Sequence, residues 1–245
     1  MNLKAQIPNF FTMLNLFSGC VALVFVADFK FDLAFYFVCL GIFFDFFDGF
    51  FARKFGVAGP LGVQLDSLAD MVTSGVVPGF VVYQLLFNIQ LITIENYNAN
   101  GIDFLPFIGF VITLGACYRL AKFNIDSRQL DSFIGLPTPA NALFFMSLAV
   151  IIKGMPLSEL SSFLFEKKFL IPLTLLSAYI MNAEIPLFSL KIKDFSFAKY
   201  KLQIFFLVLS VLMLLFLQII AVPLIIILYV LLSIVNNVLN KKASI

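Results

Sequence analysis

Residues 44–70 read FDFFDGFFARKFGVAGPLGVQLDSLAD, a stretch that sets acidic side chains inside two apolar helices. Asp45 and Asp48 lie in an apolar run that begins at Phe31, and Asp66 and Asp70 lie in a second run that extends to residue 88. Each carboxylate costs about 2.5–3.5 kcal/mol near the centre of a membrane helix and less towards the interface. Asp45 and Asp48 are spaced i,i+3, and Asp66 and Asp70 i,i+4, so each pair shares one helix face. Those faces continue in Gly49 and Ala52 on one helix and Gly62 on the other, which leaves room for a ligand beside the carboxylates. At 1.5 Å per residue, Asp45 lies about 21 Å from the outer end of its helix, and Asp66 and Asp70 lie about 5 and 10 Å past the expected start of theirs. Both pairs therefore fall in the same half of a bilayer. Four clustered carboxylates repel one another in low dielectric unless protons or cations intervene. A lone aspartate here reads equally well as a packing group or an interface cap, but four on matching faces point to a site for two divalent cations. Ion or proton translocation also uses intramembrane carboxylates. It needs a polar path to the outer face, and residues 31–44 offer almost no polar group to line one.

The bulk composition points the same way. Of 245 residues 62% are hydrophobic and 12% charged, with a mean hydropathy of +1.04, whereas a soluble domain carries about 25% charge. Eight apolar segments are expected as helices, at roughly 8–27, 31–52, 63–88, 104–122, 138–153, 168–182, 202–220 and 222–239, each compared with the about 20 residues a span requires. The fold class is therefore all-α, a polytopic transmembrane bundle in one membrane domain, with a tight turn at Ala221-Val222-Pro223 joining the last two helices. With the N-terminus inside, the outer side receives only Lys30, Lys153, Lys167 and Lys168, and the inner side the other twelve of the 16 basic residues. The positive-inside rule then makes both termini cytoplasmic and puts the carboxylates in the cytoplasmic half. The loop 89–103 has no basic residue and suits the outer face. The segment 184–201 interleaves four lysines with aromatic residues and reads as an inner-surface helix or an ordinary inside loop. The basic residues form no domain of their own, which argues against nucleic acid. Cys20, Cys39 and Cys117 sit in apolar segments without ligand spacing and read as small core residues. Histidine is absent, which excludes Ser-His catalysis, imidazole-ligated metals and a phosphohistidine intermediate. Oxygen ligands remain, and these favour Mg²⁺ or Mn²⁺.

From Asp45 to Asp70 the fixed positions spell D-x2-D-G-x2-A-R-x8-G-x3-D-x3-D. All eight fixed residues and all spacings resemble the signature of the CDP-alcohol phosphatidyltransferase family. The resemblance implies a core of six transmembrane helices, usually dimeric, with a site open to the cytoplasm. The catalytic core is then expected over about 7–182, and the helices at 202–239 extend it. It also implies roles. Asp45, Asp48, Asp66 and Asp70 hold two divalent cations, and Asp70 serves as base towards the acceptor hydroxyl. Gly49, Ala52 and Gly62 line the nucleotide pocket, and Arg53, just past the helix end, meets substrate phosphate. The plainer readings are a positive-inside charge for Arg53 and a loop glycine for Gly62.

Three further stretches resemble the phosphatidylserine synthase subgroup: IPNFFTMLNLFSG (7–19), DSLADMVTSGVVPG (66–79) and CYRLAKFNIDSRQLDSFIGLPTPANA (117–142). Two departures are Lys122 where arginine is common and Asn141 where alanine is. The resemblance implies CDP-diacylglycerol as donor, L-serine as acceptor and a prokaryotic cytoplasmic membrane as location. Arg119 is suited to a forked contact with the serine carboxylate, with Asn124 and the loop to Pro139 supplying polar partners. Asn9 and Thr12 are expected to contact nucleotide or phosphate, or to cap the first helix. Sister enzymes take glycerol 3-phosphate, inositol phosphate or choline instead. A phosphorylated acceptor predicts more basic residues near the site than Arg53, Lys54, Arg119, Lys122 and Arg128. If the binuclear reading holds, Asp45→Asn, Asp48→Asn and Asp66→Asn each abolish turnover while apo stability holds or rises, because repulsion is relieved. Near-normal product release by any of the three at saturating metal overturns it.

Overall fold

The computed structural model describes residues 3–93, 104–126, 133–154, 159–188 and 200–243. Helix α1 spans Leu3–Ala27 and α2 spans Phe31–Phe55. A third rod runs without a break through α3 (Pro60–Asp70), a π-helical segment (Met71–Val76) and α4 (Val77–Thr93). A 3₁₀ stretch, Leu105–Phe110, leads into α5 (Val111–Ile125). Then come α6 (Thr138–Gly154), a short α7 (Glu159–Leu164), α8 (Lys167–Asn182), α9 (Lys201–Leu217) and α10 (Ala221–Ala243). Two residues of β1 (Phe133–Ile134) pair antiparallel with two of β2 (Pro186–Leu187). Otherwise the protein is an all-α bundle.

Five helical runs among the described residues are long and apolar enough to cross a bilayer: Gln6–Ala27, Phe31–Phe55, Pro60–Ile89, Leu105–Ile125 and Lys201–Leu239. The last takes in α9 and most of α10. The interior is a largely apolar core that also takes in the intramembrane polar side chains, while large apolar side chains cover the outside, as a bilayer solvent requires. Asp48, Asp70, Arg119, Asn15 and Asn141 are buried, while Phe10, Phe17, Phe43, Phe46 and Phe216 are exposed. This is an integral membrane protein.

Several boundaries differ from expectation for identifiable reasons. Helix α1 begins at Leu3, so Asn9 and Thr12 lie beyond its first turn and cap nothing. Helix α2 does not end at Ala52. It continues to Phe55 and stops at Gly56, whose left-handed φ of 62° suits glycine and whose N–H meets the Ala52 and Arg53 carbonyls. Arg53 therefore belongs to the last helical turn rather than the loop. The turn between α9 and α10 comes three residues earlier than 221–223, at Gln218, with a 3₁₀ turn over Gln218–Ile220. The chain folds back there. Phe206 and Tyr229 sit 5.5 Å apart between ring centres, although a straight helix would separate them by about 35 Å. The loop 94–103, Arg128 and most of 184–201 lie outside the described residues.

The π segment has a local cause. Pro78 has no N–H to offer the Ser74 carbonyl, so the i→i−4 ladder cannot continue there. The Val77 N–H reaches back to the Val72 carbonyl instead, and the Thr113 hydroxyl of α5 donates to the Gly75 carbonyl at 3.0 Å. The extra residue places Thr73 against two glycines of neighbouring helices. A Cβ on Gly19 of α1 would stand 2.5 Å from Thr73 Oγ1, and one on Gly41 of α2 would stand 2.8 Å from Thr73 Cγ2 and 2.9 Å from Asn15 Oδ1. The Thr73 hydroxyl donates to the Asn15 carbonyl at 3.1 Å. Three rods thus lock together one turn below the aspartates. Gly41→Ala is expected to cost about 1–3 kcal/mol through forced separation of these rods. Gly154→Ala, with nothing within 4 Å of the added methyl, should stay within about 0.5 kcal/mol. Melting curves in detergent compare the two, and equal curves would mean the junction yields freely.

Candidate active site

The α2–α3 connection is short, residues 56–59, so the end of one helix and the start of the next are close neighbours. Counted from that connection, Asp48 and Asp66 are each about 10 Å deep, and Asp45 and Asp70 about 15 Å. The two shallow and the two deep carboxylates therefore face one another in layers. One oxygen from each of Asp45, Asp48 and Asp66 lies within 4.8 Å of the others. Asp70 stands outside that trio, buried, with Oδ1 accepting a 3.0 Å hydrogen bond from Asn15 Nδ2. The Thr12 hydroxyl donates to Asp48 Oδ2 at 2.6 Å. Asp66 Oδ1 is buried and has no hydrogen-bond partner among the described residues. An all-oxygen trio with an unsatisfied buried oxygen fits a hard divalent cation, which supplies both charge and coordination.

Above the shallow layer opens a cavity of about 390 Å³. Every residue expected to meet nucleotide or phosphate lines it: Asn9, Thr12, Gly49, Ala52, Arg53 and Gly62, together with Asp48 and Asp66. The Arg53 guanidinium lies back along its helix, so that a Cβ on Gly49 would stand 3.2 Å from Nη1. A Cβ on Gly62 meets nothing nearer than Asn9 Oδ1 at 3.9 Å, so its missing side chain is open cavity space. The wall also includes the N-cap Gly59 and the first residues of α3, Pro60 and Leu61. Pro60 has no N–H, so the amides of Leu61 and Gly62 are the ones that the helix start leaves to favour an anionic group.

Arg119 and Asn124 of α5 do not line this cavity. Arg119 is buried, stacks over Phe123 at 5.9 Å and lies within Coulombic reach of Asp70, and its Nε has no partner among the described residues. Asn124 Nδ2 donates to Ser67 Oγ at 2.9 Å, which ties the end of α5 to the residue after Asp66. Sequence reasoning passed over Asn15, although its i,i+3 spacing from Thr12, and Thr12's from Asn9, marks one polar stripe on an apolar helix. Thr138, at the end of the loop to Pro139, has a hydroxyl that is buried and unpartnered among the described residues, as is Asn141 Nδ2. Asn141 Oδ1 accepts from the Ser177 hydroxyl at 2.6 Å.

Comparison with known proteins bears on this geometry directly. The CDP-alcohol phosphatidyltransferase family model matches residues 5–190. A Bacillus subtilis CDP-diacylglycerol–serine O-phosphatidyltransferase is 37% identical over 137 residues, covering 54% of this chain and 69% of the relative. The Helicobacter pylori protein of the same name is 30% identical over 213 residues, covering 86% of this chain and 81% of the relative. An archaetidylserine synthase of Methanothermobacter thermautotrophicus is 30% identical over 144 residues, 58% of this chain and 56% of its own length. The matched region contains the whole carboxylate cluster and the cavity above it, and on that ground the chain belongs to the CDP-alcohol phosphatidyltransferase family.

Proposed function

We propose that this chain transfers a phosphatidyl group from CDP-diacylglycerol to the hydroxyl of L-serine, giving phosphatidylserine and CMP. The observation that carries this reading is one arrangement: a cavity bearing Arg53 and the opening of α3 over three carboxylates, with Asp70 and a buried, partly unsatisfied arginine beside them. The serine oxygen bonds to the lipid-bearing phosphorus, the pyrophosphate P–O bond breaks in line, and CMP departs with the electron pair. Family members use divalent cations, and here Asp45, Asp48 and Asp66 would hold them, with Asp70 completing the set. Two such ions, Mg²⁺ or Mn²⁺, would supply positive charge to offset that of the pyrophosphate and of the leaving CMP. Asp70 takes the proton from the serine hydroxyl, which at neutral pH is a poor nucleophile without a base. The Asn15 bond holds one Asp70 oxygen, leaving the other for that proton.

Arg53 and the opening turn of α3 meet the donor phosphates, and Gly49, Ala52 and Gly62 leave space for the cytidine. Arg119 forks onto the serine carboxylate, with Asn124 holding that end of α5 against α3. In the cell we place the protein in a prokaryotic cytoplasmic membrane as a homodimer, with termini and cavity towards the cytoplasm. A second reading keeps serine and replaces the diacyl donor by an ether-linked one, on the strength of the likeness to the archaetidylserine synthase.

The direct test incubates detergent-purified protein with CDP-diacylglycerol, a panel of alcohols and either metal, and follows CMP release. Release with serine and not with glycerol 3-phosphate, inositol phosphate or choline is expected, and the reverse overturns the assignment. Arg119→Lys keeps charge but loses the planar fork, so serine KM rises while CDP-diacylglycerol KM barely moves. An unchanged serine KM removes Arg119 from the acceptor pocket. Gly62→Ala adds a methyl to the cavity without a clash, so CMP affinity should fall about tenfold with the melting curve intact. Ala52→Leu should do the same from the facing helix. Wild-type affinity in both variants means these positions serve packing alone.

A further inference from the structure

Helices α9 and α10 lie beyond the residues that the family model matches, yet they grip a segment that leads back to the site. Leu187, Phe188, Phe206 and Tyr229 form a second apolar core, separate from that of the main bundle. Three residues on one face of α10, at i, i+4 and i+8, bind the same short stretch of backbone. Tyr229 Oη donates to the Phe188 carbonyl at 2.9 Å, Ser233 Oγ accepts from the Phe188 N–H at 3.4 Å, and Asn237 Nδ2 donates to the Pro186 carbonyl at 2.6 Å. That stretch contains β2, which pairs with β1 in the register Phe133 opposite Leu187 and Ile134 opposite Pro186.

From β1 the chain is fixed residue by residue into α6. The Gly135 N–H donates to the Ile185 carbonyl at 2.9 Å and the Leu136 N–H to the Ile180 carbonyl at 3.2 Å. Gly135 has φ 75°, and a Cβ there would collide with the Met181 carbonyl, so this corner admits only glycine. Helix α6 then opens with Thr138 and, one turn on, Asn141, each with a buried polar atom unpartnered among the described residues. The same segment also reaches α5. Glu184 pairs with Lys122 at 3.5 Å, three residues from Arg119 and two from Asn124. A strand pair of two residues cannot persist by itself, and Pro186 has no N–H to contribute. Its order depends on what holds β2 from behind.

We infer that the C-terminal hairpin is a clamp for the acceptor half of the active site, with Tyr229, Ser233 and Asn237 as positioning residues acting through β2 on the β1–α6 corner and on the Arg119-bearing end of α5. This rests on the acceptor reading of Arg119 given above. An unclamped corner samples incompetent arrangements, and the apparent affinity for the acceptor falls by the competent fraction. The donor cavity, built from α1, α2 and α3, is not touched by the clamp.

The test uses the full chain in detergent carrying Tyr229→Phe and Asn237→Ala together. Phenylalanine keeps the ring in the second core, so the fold is retained. Three quantities are read: amide hydrogen exchange over residues 133–137, the two substrate KM values by CMP release, and the melting temperature. Faster exchange at Gly135 and Leu136 is expected, with the acceptor KM raised about tenfold and donor KM and melting unchanged. Unchanged exchange overturns the clamp. Faster exchange with an unchanged acceptor KM, or an equal rise in both KM values, overturns its role in positioning the acceptor. If the double variant fails to fold, Asn237→Ala alone at its half-buried position carries the same readouts. The acceptor is whichever alcohol the wild type uses, so failure of serine as substrate is seen in the wild type and leaves the clamp judged by its own two measurements.

Discussion

Three carboxylates held within 4.8 Å of one another impose the condition to which the rest of the bundle answers. At an effective dielectric near 20, each pair of full charges at that distance repels by about 3 kcal/mol. Helices carrying such a load separate unless the scaffold prevents it. Thr73, seated between Gly19 and Gly41, brings α1, α2 and the π segment to backbone contact one turn below the charge. Thr12 and Asn15 of α1 then donate to Asp48 and Asp70, so the first helix serves as the neutral hydrogen-bonding wall of an acidic site. The cluster is thus built by the scaffold, and a cation bound there would complete the charge balance rather than create the architecture.

Much of this could be read from the sequence because a bilayer makes residue choice costly. An aspartate in an apolar helix is expensive, so Asp45, Asp48, Asp66 and Asp70 announced themselves, and helical spacing gave their facing. The same logic located Gly49, Ala52 and Gly62, which all line the cavity. What sequence reasoning missed depends on contacts between distant residues. Asn15 looks like one polar residue among several until Asp70, 55 positions on, accepts its hydrogen bond. The expected start of α1 near residue 8 falls later than the observed Leu3, and the expected end of α2 near residue 52 falls earlier than the observed Phe55. Gly56 decides that end through its backbone conformation. The β1–β2 pair carries no periodic signal in two residues and exists only through what surrounds it.

The site divides along its helices. On the proposed assignment, the donor surface comes from the first three rods, which are consecutive in sequence. The proposed acceptor side comes from α5, α6 and the segment after α8, and the two-residue strands tie the last two together. That division suits a family in which one nucleotide-lipid donor meets many alcohols. The carboxylate cluster rests on local geometry, while the proposed acceptor side is a surface that can change without disturbing Asp45, Asp48 and Asp66.

The π segment has a consequence of its own for the third rod. In a regular helix each residue turns about 100°, so the single residue gained at Met71–Val76 offsets the angular phase of α4 from that of α3 by about as much. The rod can present acid to the cavity in its first half and an apolar flank to the main core in its second, although one unbroken phase would have forced a compromise between the two. Phase is set there by a local insertion rather than by a loop, so the two halves stay rigidly coupled while their sequences are free to drift separately.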